Sequence, residues 1–103
     1  MKAEMTYRTE KDFLGEKKIP TDVYYGIQTL RAAENFPITG YKIHEEMIKA
    51  LAVVKKAAAL ANMETKRLYK GLGDAIVQAA DEILEGKLHD QFIVDPIQGG
   101  AGT

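Results

Sequence analysis

The stretch from Glu45 to Met63, EEMIKALAVVKKAAALANM, contains neither glycine nor proline and is crowded with alanine, which commits this part of the chain to one long helix. Along it Met47, Leu51, Val54, Ala58 and Ala61 recur at intervals of four, three, four and three, a stripe that predicts a core-facing side. Glu45 and Glu46 fall in the first turn, where the helix dipole favours a carboxylate by about 0.3 to 1 kcal/mol each, and His44 stands where a cap is needed. A second helix is expected over 72–86, from Leu72 to Glu85, with Ile76, Ala79, Ala80, Ile83 and Leu84 on one side and Gly86 as a left-handed stop. Residues 65–73 read as a loop or short helix. So short a connection predicts antiparallel packing of the two helices, with the alanines allowing close approach.

Upstream the pattern changes. Residues 6–26, TYRTEKDFLGEKKIPTDVYYG, mix β-formers with charges and are punctuated by Gly15, Pro20 and Gly26. No helical period can establish itself there, and an irregular or short-hairpin arm is expected, with Leu14, Ile19, Val23, Tyr24 and Tyr25 laid on a surface. Residues 27–36, IQTLRAAENF, predict a short helix with Leu30, Ala33 and Phe36 on its apolar side. Pro37 ends it, and Ile38 to Tyr41 with Gly40 make a turn. The expected fold is mainly α, with an arm, one short helix and two longer antiparallel helices. At 103 residues this is a single domain (1–103) with one modest core.

The charge balance is nearly even, 14 basic against 15 acidic residues, so no strong field draws in nucleic acid or an anionic membrane. There is no cysteine, and no apolar run approaches a membrane span, which reads as a cytoplasmic protein. His44 and His89, 45 positions apart without paired-ligand spacing, do not predict a metal; His44 reads as a cap and His89 as a surface residue. Arg31 and Asn35 read as structural, with an ion pair to a carboxylate such as Glu34. One of Tyr24 and Tyr25 is expected in the core and the other outside, since neighbours in an extended arm face opposite ways. Lys66, Arg67 and Lys70 read as a solvated face, and Asp90 and Asp95 as turn or capping residues.

The run from Asp95 to Thr103, DPIQGGAGT, stands apart: three glycines and a proline, closing on a hydroxyl. Glycines at this density let backbone amides converge on an anion, and a hydroxyl adds a donor, so an anion-contacting loop is the functional reading. On residue types alone, a flexible or truncated end is the stronger reading. A phosphate loop does not fit, because no lysine follows the glycines.

The same residues carry a resemblance. DPIQGGAGT is similar to the first active-site segment of bacterial aspartases, and the likeness continues through DQFIVDPIQGGAGT, AADEILEGK, VKKAAALANM and YYGIQTLRAAENFPITGY, over residues 7–103. The pattern YYGxQTxRAxxNFxI fits aspartases and class II fumarases equally, whereas Ala101 stands where fumarases typically have serine. The chain thus resembles the N-terminal domain of the aspartase/fumarase superfamily, on its aspartase side. That resemblance implies an ammonia-lyase converting L-aspartate reversibly to fumarate and ammonia, with a doubly charged aci-carboxylate to be stabilised, in a homotetramer that uses no cofactor. It implies that Thr103 donates a hydrogen bond to the dicarboxylate substrate, with Gly100, Ala101 and Gly102 lining the same segment. The family's GSSxMPxKxN base loop, and the histidine and lysine of other subunits, have no counterpart here, so the chain alone is expected to be inactive. A class II fumarase-type hydratase and a non-catalytic helical interaction module are the alternatives.

Overall fold

A computed structural model describes residues 5–97, with strands β1 (Tyr7–Asp12) and β2 (Gly15–Pro20) and helices α1 (Ile27–Asn35), α2 (Glu45–Glu64) and α3 (Lys70–Leu84), followed by a short 3-10 turn at His89–Gln91. The chain divides into two compact units, Met1–Ile43 with Gln91–Thr103 and His44–Asp90.

In the first unit the arm is a true antiparallel hairpin. Tyr7 faces Pro20 and Asp12 faces Gly15 across a two-residue loop, and Gly15 takes the positive φ of +118° that the reversal demands. Alternation along β2 turns Ile19 inward, where it is fully buried. Beyond β2 the backbone is irregular, and its carbonyls need donors from elsewhere. Arg8 supplies them, donating to the carbonyl oxygens of Pro20 (2.9 Å), Val23 (2.9 Å) and Tyr25 (2.7 Å). Glu10, held by Arg8 at 2.8 Å, accepts the Ile27 amide at 2.9 Å and so caps α1 from another element. Gly26 leaves room for this, since a Cβ there would lie 3.1 Å from Glu10 Oε1. Arg31 reaches back from α1 with a two-pronged grip on Asp12, at 2.8 and 3.0 Å, and also donates to the Gly15 carbonyl. Its partner is Asp12 rather than Glu34, which pairs instead with Lys17 at 2.6 Å.

The second unit is the helix pair. Contacts between Lys56 and Asp81, between Glu45 and His89, and between Met63 and the space above Gly73 run in opposite order along the two helices, so α2 and α3 are antiparallel as expected. His44 caps α2, its Nδ1 accepting the Glu46 amide at 3.1 Å. Both helices end in the same device. Lys66 at φ +63° and Gly86 at φ +96° take the left-handed position after the cap, while the next amides, Arg67 and Lys87, return to the carbonyls of Asn62 and Glu82.

The stripe expected to face the core of α2 does not. Met47, Leu51 and Val54 are 55, 49 and 61% exposed, and Ala58 and Ala61 are exposed as well. The buried line is Ile48, Ala52 and Ala59, with Lys56 and Met63 half-buried between and beyond them. On α3, Gly73 and Ala80 are buried, and the missing side chain of Gly73 leaves the room that Met63 of α2 occupies. On α3 the expected side is the observed one, with Ile76, Ala80, Ile83 and Leu84 turned inward, though Ala79 is exposed and the helix begins at Lys70, two residues early. On α1, Phe36 lies just past the helix end and is exposed.

Candidate functional site

The segment to which the sequence assigns chemistry starts at Asp95. Gly100, Ala101, Gly102 and Thr103 lie outside the described residues; Asp95 to Ile97 lie within them.

Asp95 is the one buried charged side chain among the described residues, 6% exposed. Its two carboxylate oxygens do different work. Oδ1 accepts the Ile97 amide at 2.9 Å, closing a turn around Pro96 of the kind aspartate favours. Oδ2 accepts three donors from a turn more than fifty residues earlier: the Thr39 amide at 2.6 Å, the Thr39 hydroxyl at 2.8 Å and the Gly40 amide at 3.1 Å. Gly40 takes φ +78° there, and the Thr39 hydroxyl also accepts the Tyr41 amide at 3.1 Å. Burial by itself would push the Asp95 carboxyl up. Hydrogen bonds from the Ile97, Thr39 and Gly40 amides and the Thr39 hydroxyl outweigh it and hold the pKa at about 2, below the ordinary 3.8. The result is a clasp, ionised near neutral pH, between the Thr39–Gly40 turn and the Asp95–Ile97 turn. A second tie lies just upstream, where the Gln91 side chain accepts the Tyr24 amide at 2.7 Å.

Elsewhere the charged and aromatic side chains serve the fold. Asp12 and Glu10 are carboxylates held below their ordinary range, chiefly by hydrogen bonds from Arg31 and Arg8 respectively. Tyr24 is exposed and Tyr25 half-buried, and Lys66, Arg67 and Lys70 are all exposed. Lys70 pairs with Asp74 one helical turn on. His89 is not the surface residue expected. Its side chain is 15% exposed, Nε2 lies 3.0 Å from the Ile83 carbonyl, and Nδ1 is buried without a hydrogen-bond partner among the described residues, 3.7 Å from Glu45. The position just after the helix stop at Gly86 folds it back onto the last turn of α3. No three histidine, aspartate or glutamate side chains converge as a metal site among the described residues, and none of their helices is long and apolar enough to cross a membrane. An open hollow beside the hairpin loop, lined by Lys11, Asp12, Phe13 and Gln28, offers a ligand little, because its carboxylate is already committed to Arg31.

Sequence reasoning gave Asp95 a turn role and missed the long-range half of its work. The Asp-Pro pair ahead of the glycines signals the turn; nothing in local spacing signals Thr39 and Gly40.

The sequence and the fold, with its hairpin, short helix and antiparallel helix pair, match one group of proteins. A sequence profile described as lyase matches residues 15–103, and the chain belongs to that lyase family. Within it, the chain is 82% identical over its whole length to aspartate ammonia-lyase of Bacillus subtilis (strain 168), covering 22% of that protein. It is 53% identical over 97 residues to fumarate hydratase class II of Halobacterium salinarum, covering 94% of this chain and 21% of that one. A solved structure titled fumarate lyase:delta crystallin, from Brucella melitensis and bound to cobalt, superimposes with a TM-score of 0.88 at 49% identity, over 94% of this chain and 22% of that one. The chain thus spans about a fifth of the length of the relatives it matches.

Proposed function

We propose that this chain is part of an aspartate ammonia-lyase, which converts L-aspartate reversibly to fumarate and ammonia, and that its own contribution is the segment ending in Thr103. The observation that carries this reading is the 82% identity, over the whole chain, to an aspartate ammonia-lyase. Ala101, where fumarases typically have serine, points the same way.

The chemistry sets the task. Removing a proton from the carbon beside one carboxylate places a second negative charge on that carboxylate, and donors aimed at it lower the barrier. Thr103 supplies one such hydroxyl, and Gly100, Ala101 and Gly102 keep side chains out of the substrate's way. The general base and the remaining donors come from the rest of the parent protein, a cytoplasmic homotetramer in this reading. No cofactor is needed for the elimination.

The test is substrate choice by the full-length parent. L-aspartate should give the absorbance rise of fumarate, and L-malate should give none. Turnover of L-malate in place of L-aspartate would overturn the assignment in favour of a hydratase.

A further inference from the structure

We infer that His89 and Glu45 form a pH-sensitive latch across one end of the helix pair, open when the imidazole is neutral and closed when it is protonated. The inference is independent of the reaction catalysed. The ring lies between the last turn of α3 and the first turn of α2. Nε2 is 3.0 Å from the Ile83 carbonyl oxygen, and Nδ1 is 3.7 Å from Glu45 Oε1, beyond hydrogen-bond reach. Both neighbours are acceptors, and a neutral imidazole has one N–H to offer. With the proton on Nε2, the Ile83 carbonyl is served and the Nδ1 lone pair faces a carboxylate. With the proton on Nδ1, a lone pair faces the carbonyl instead. The imidazolium alone donates to both.

Burial gives this mismatch weight. Nδ1 is buried and has no hydrogen-bond partner among the described residues, so a neutral ring leaves an acceptor unpaired. The Glu45 side chain is 74% exposed and can close the remaining gap. A positive charge at the C-terminal end of α3 also suits the helix dipole. Of the other charges at this end, Glu85 pairs with Lys87 at 3.3 Å and Asp81 with Lys56 at 2.6 Å, while Glu46, Glu82 and Asp90 make no ion pair with the ring. His44 acts in the opposite sense. Its Nδ1 accepts the Glu46 amide, which a protonated ring cannot do, so this cap is lost where the latch closes. Burial also disfavours a charged ring in itself. The latch is therefore read from the coupling between the two side chains, not from the pH profile of stability as a whole.

A double-mutant cycle of His89→Gln and Glu45→Gln in the 103-residue chain, kept dilute, measures that coupling by urea unfolding. It is run in a His44→Asn background, which keeps a capping side chain and removes the other histidine. Glutamine at 89 retains an amide donor for the Ile83 carbonyl and stays uncharged, and the cycle cancels what Glu45 contributes to its own helix end. At about pH 5.5 the coupling should favour the folded chain by about two- to fivefold in the unfolding equilibrium constant, and at about pH 8 it should vanish. Equal coupling at both pH values, or none at either, would overturn the latch. If His89→Gln fails to fold, nitrogen NMR of the ring carries the test in the unaltered chain and in Glu45→Gln. The unaltered ring at about pH 8 should hold its proton on Nε2, and Glu45→Gln should lower the pH at which the second proton is gained. A proton on Nδ1 at that pH, or an unchanged midpoint, would contradict the inference.

Discussion

At the scale of single residues, the chain relies on ionised carboxylates, each answering a particular need of the backbone. Glu10 caps a helix, Asp12 receives Arg31, and Asp95 joins two distant turns. All three carboxyls are held below their ordinary pKa. A carboxyl with a depressed folded-state pKa contributes stability that is fully present above its unfolded value and is lost as pH falls through its folded one. For Asp95 the window therefore runs from near 3.8 down to about 2. Acid unfolding followed by circular dichroism should be less pH-dependent across that window in Asp95→Asn than in the unaltered protein. Equal slopes would mean that the clasp is not ionised in the folded state. This clasp was only half legible beforehand. The Asp-Pro turn is written in adjacent residues, whereas the pairing with Thr39 and Gly40 depends on folding that brings distant positions together.

At the scale of elements, boundaries and stops were readable because they rest on local chemistry. His44 as a cap, Gly86 as a left-handed stop and Gly40 in a turn all appear as expected. Gly86 tests the point: a Cβ at φ +96° meets no neighbour, so any loss in Gly86→Ala comes from the backbone conformation alone. That substitution should cost about 1 to 2 kcal/mol, seen as a lower midpoint in urea unfolding; an unchanged midpoint would contradict the left-handed stop. The face of α2 was not readable in the same way. Apolar residues occur all round this helix, so the period selects no single side, and the buried line of Ile48, Ala52 and Ala59 was set by packing against α3, where Met63 fills the space above Gly73. The large residues Met47, Leu51 and Val54 were left outside.

At the scale of the whole molecule, that exposed side and the relatives' greater length belong together. The chain spans about a fifth of its relatives' length and presents apolar surface along α2. Sedimentation of the isolated 103-residue chain should accordingly show dimers or larger species at high concentration, and a clean monomer throughout would argue against an unsatisfied face. The family was legible because its residues are spread over nearly the whole chain, and the profile match over residues 15–103 follows the same spread. The most direct test of the central claim lies in the full-length parent, as the rate of fumarate release from L-aspartate by the unaltered enzyme and by Thr103→Ala. The account predicts a kcat/KM lower by about 1 to 3 kcal/mol in transition-state terms, the range for losing a hydrogen bond to a charged group. An unchanged kcat/KM, or a parent that releases no fumarate from L-aspartate, would contradict it.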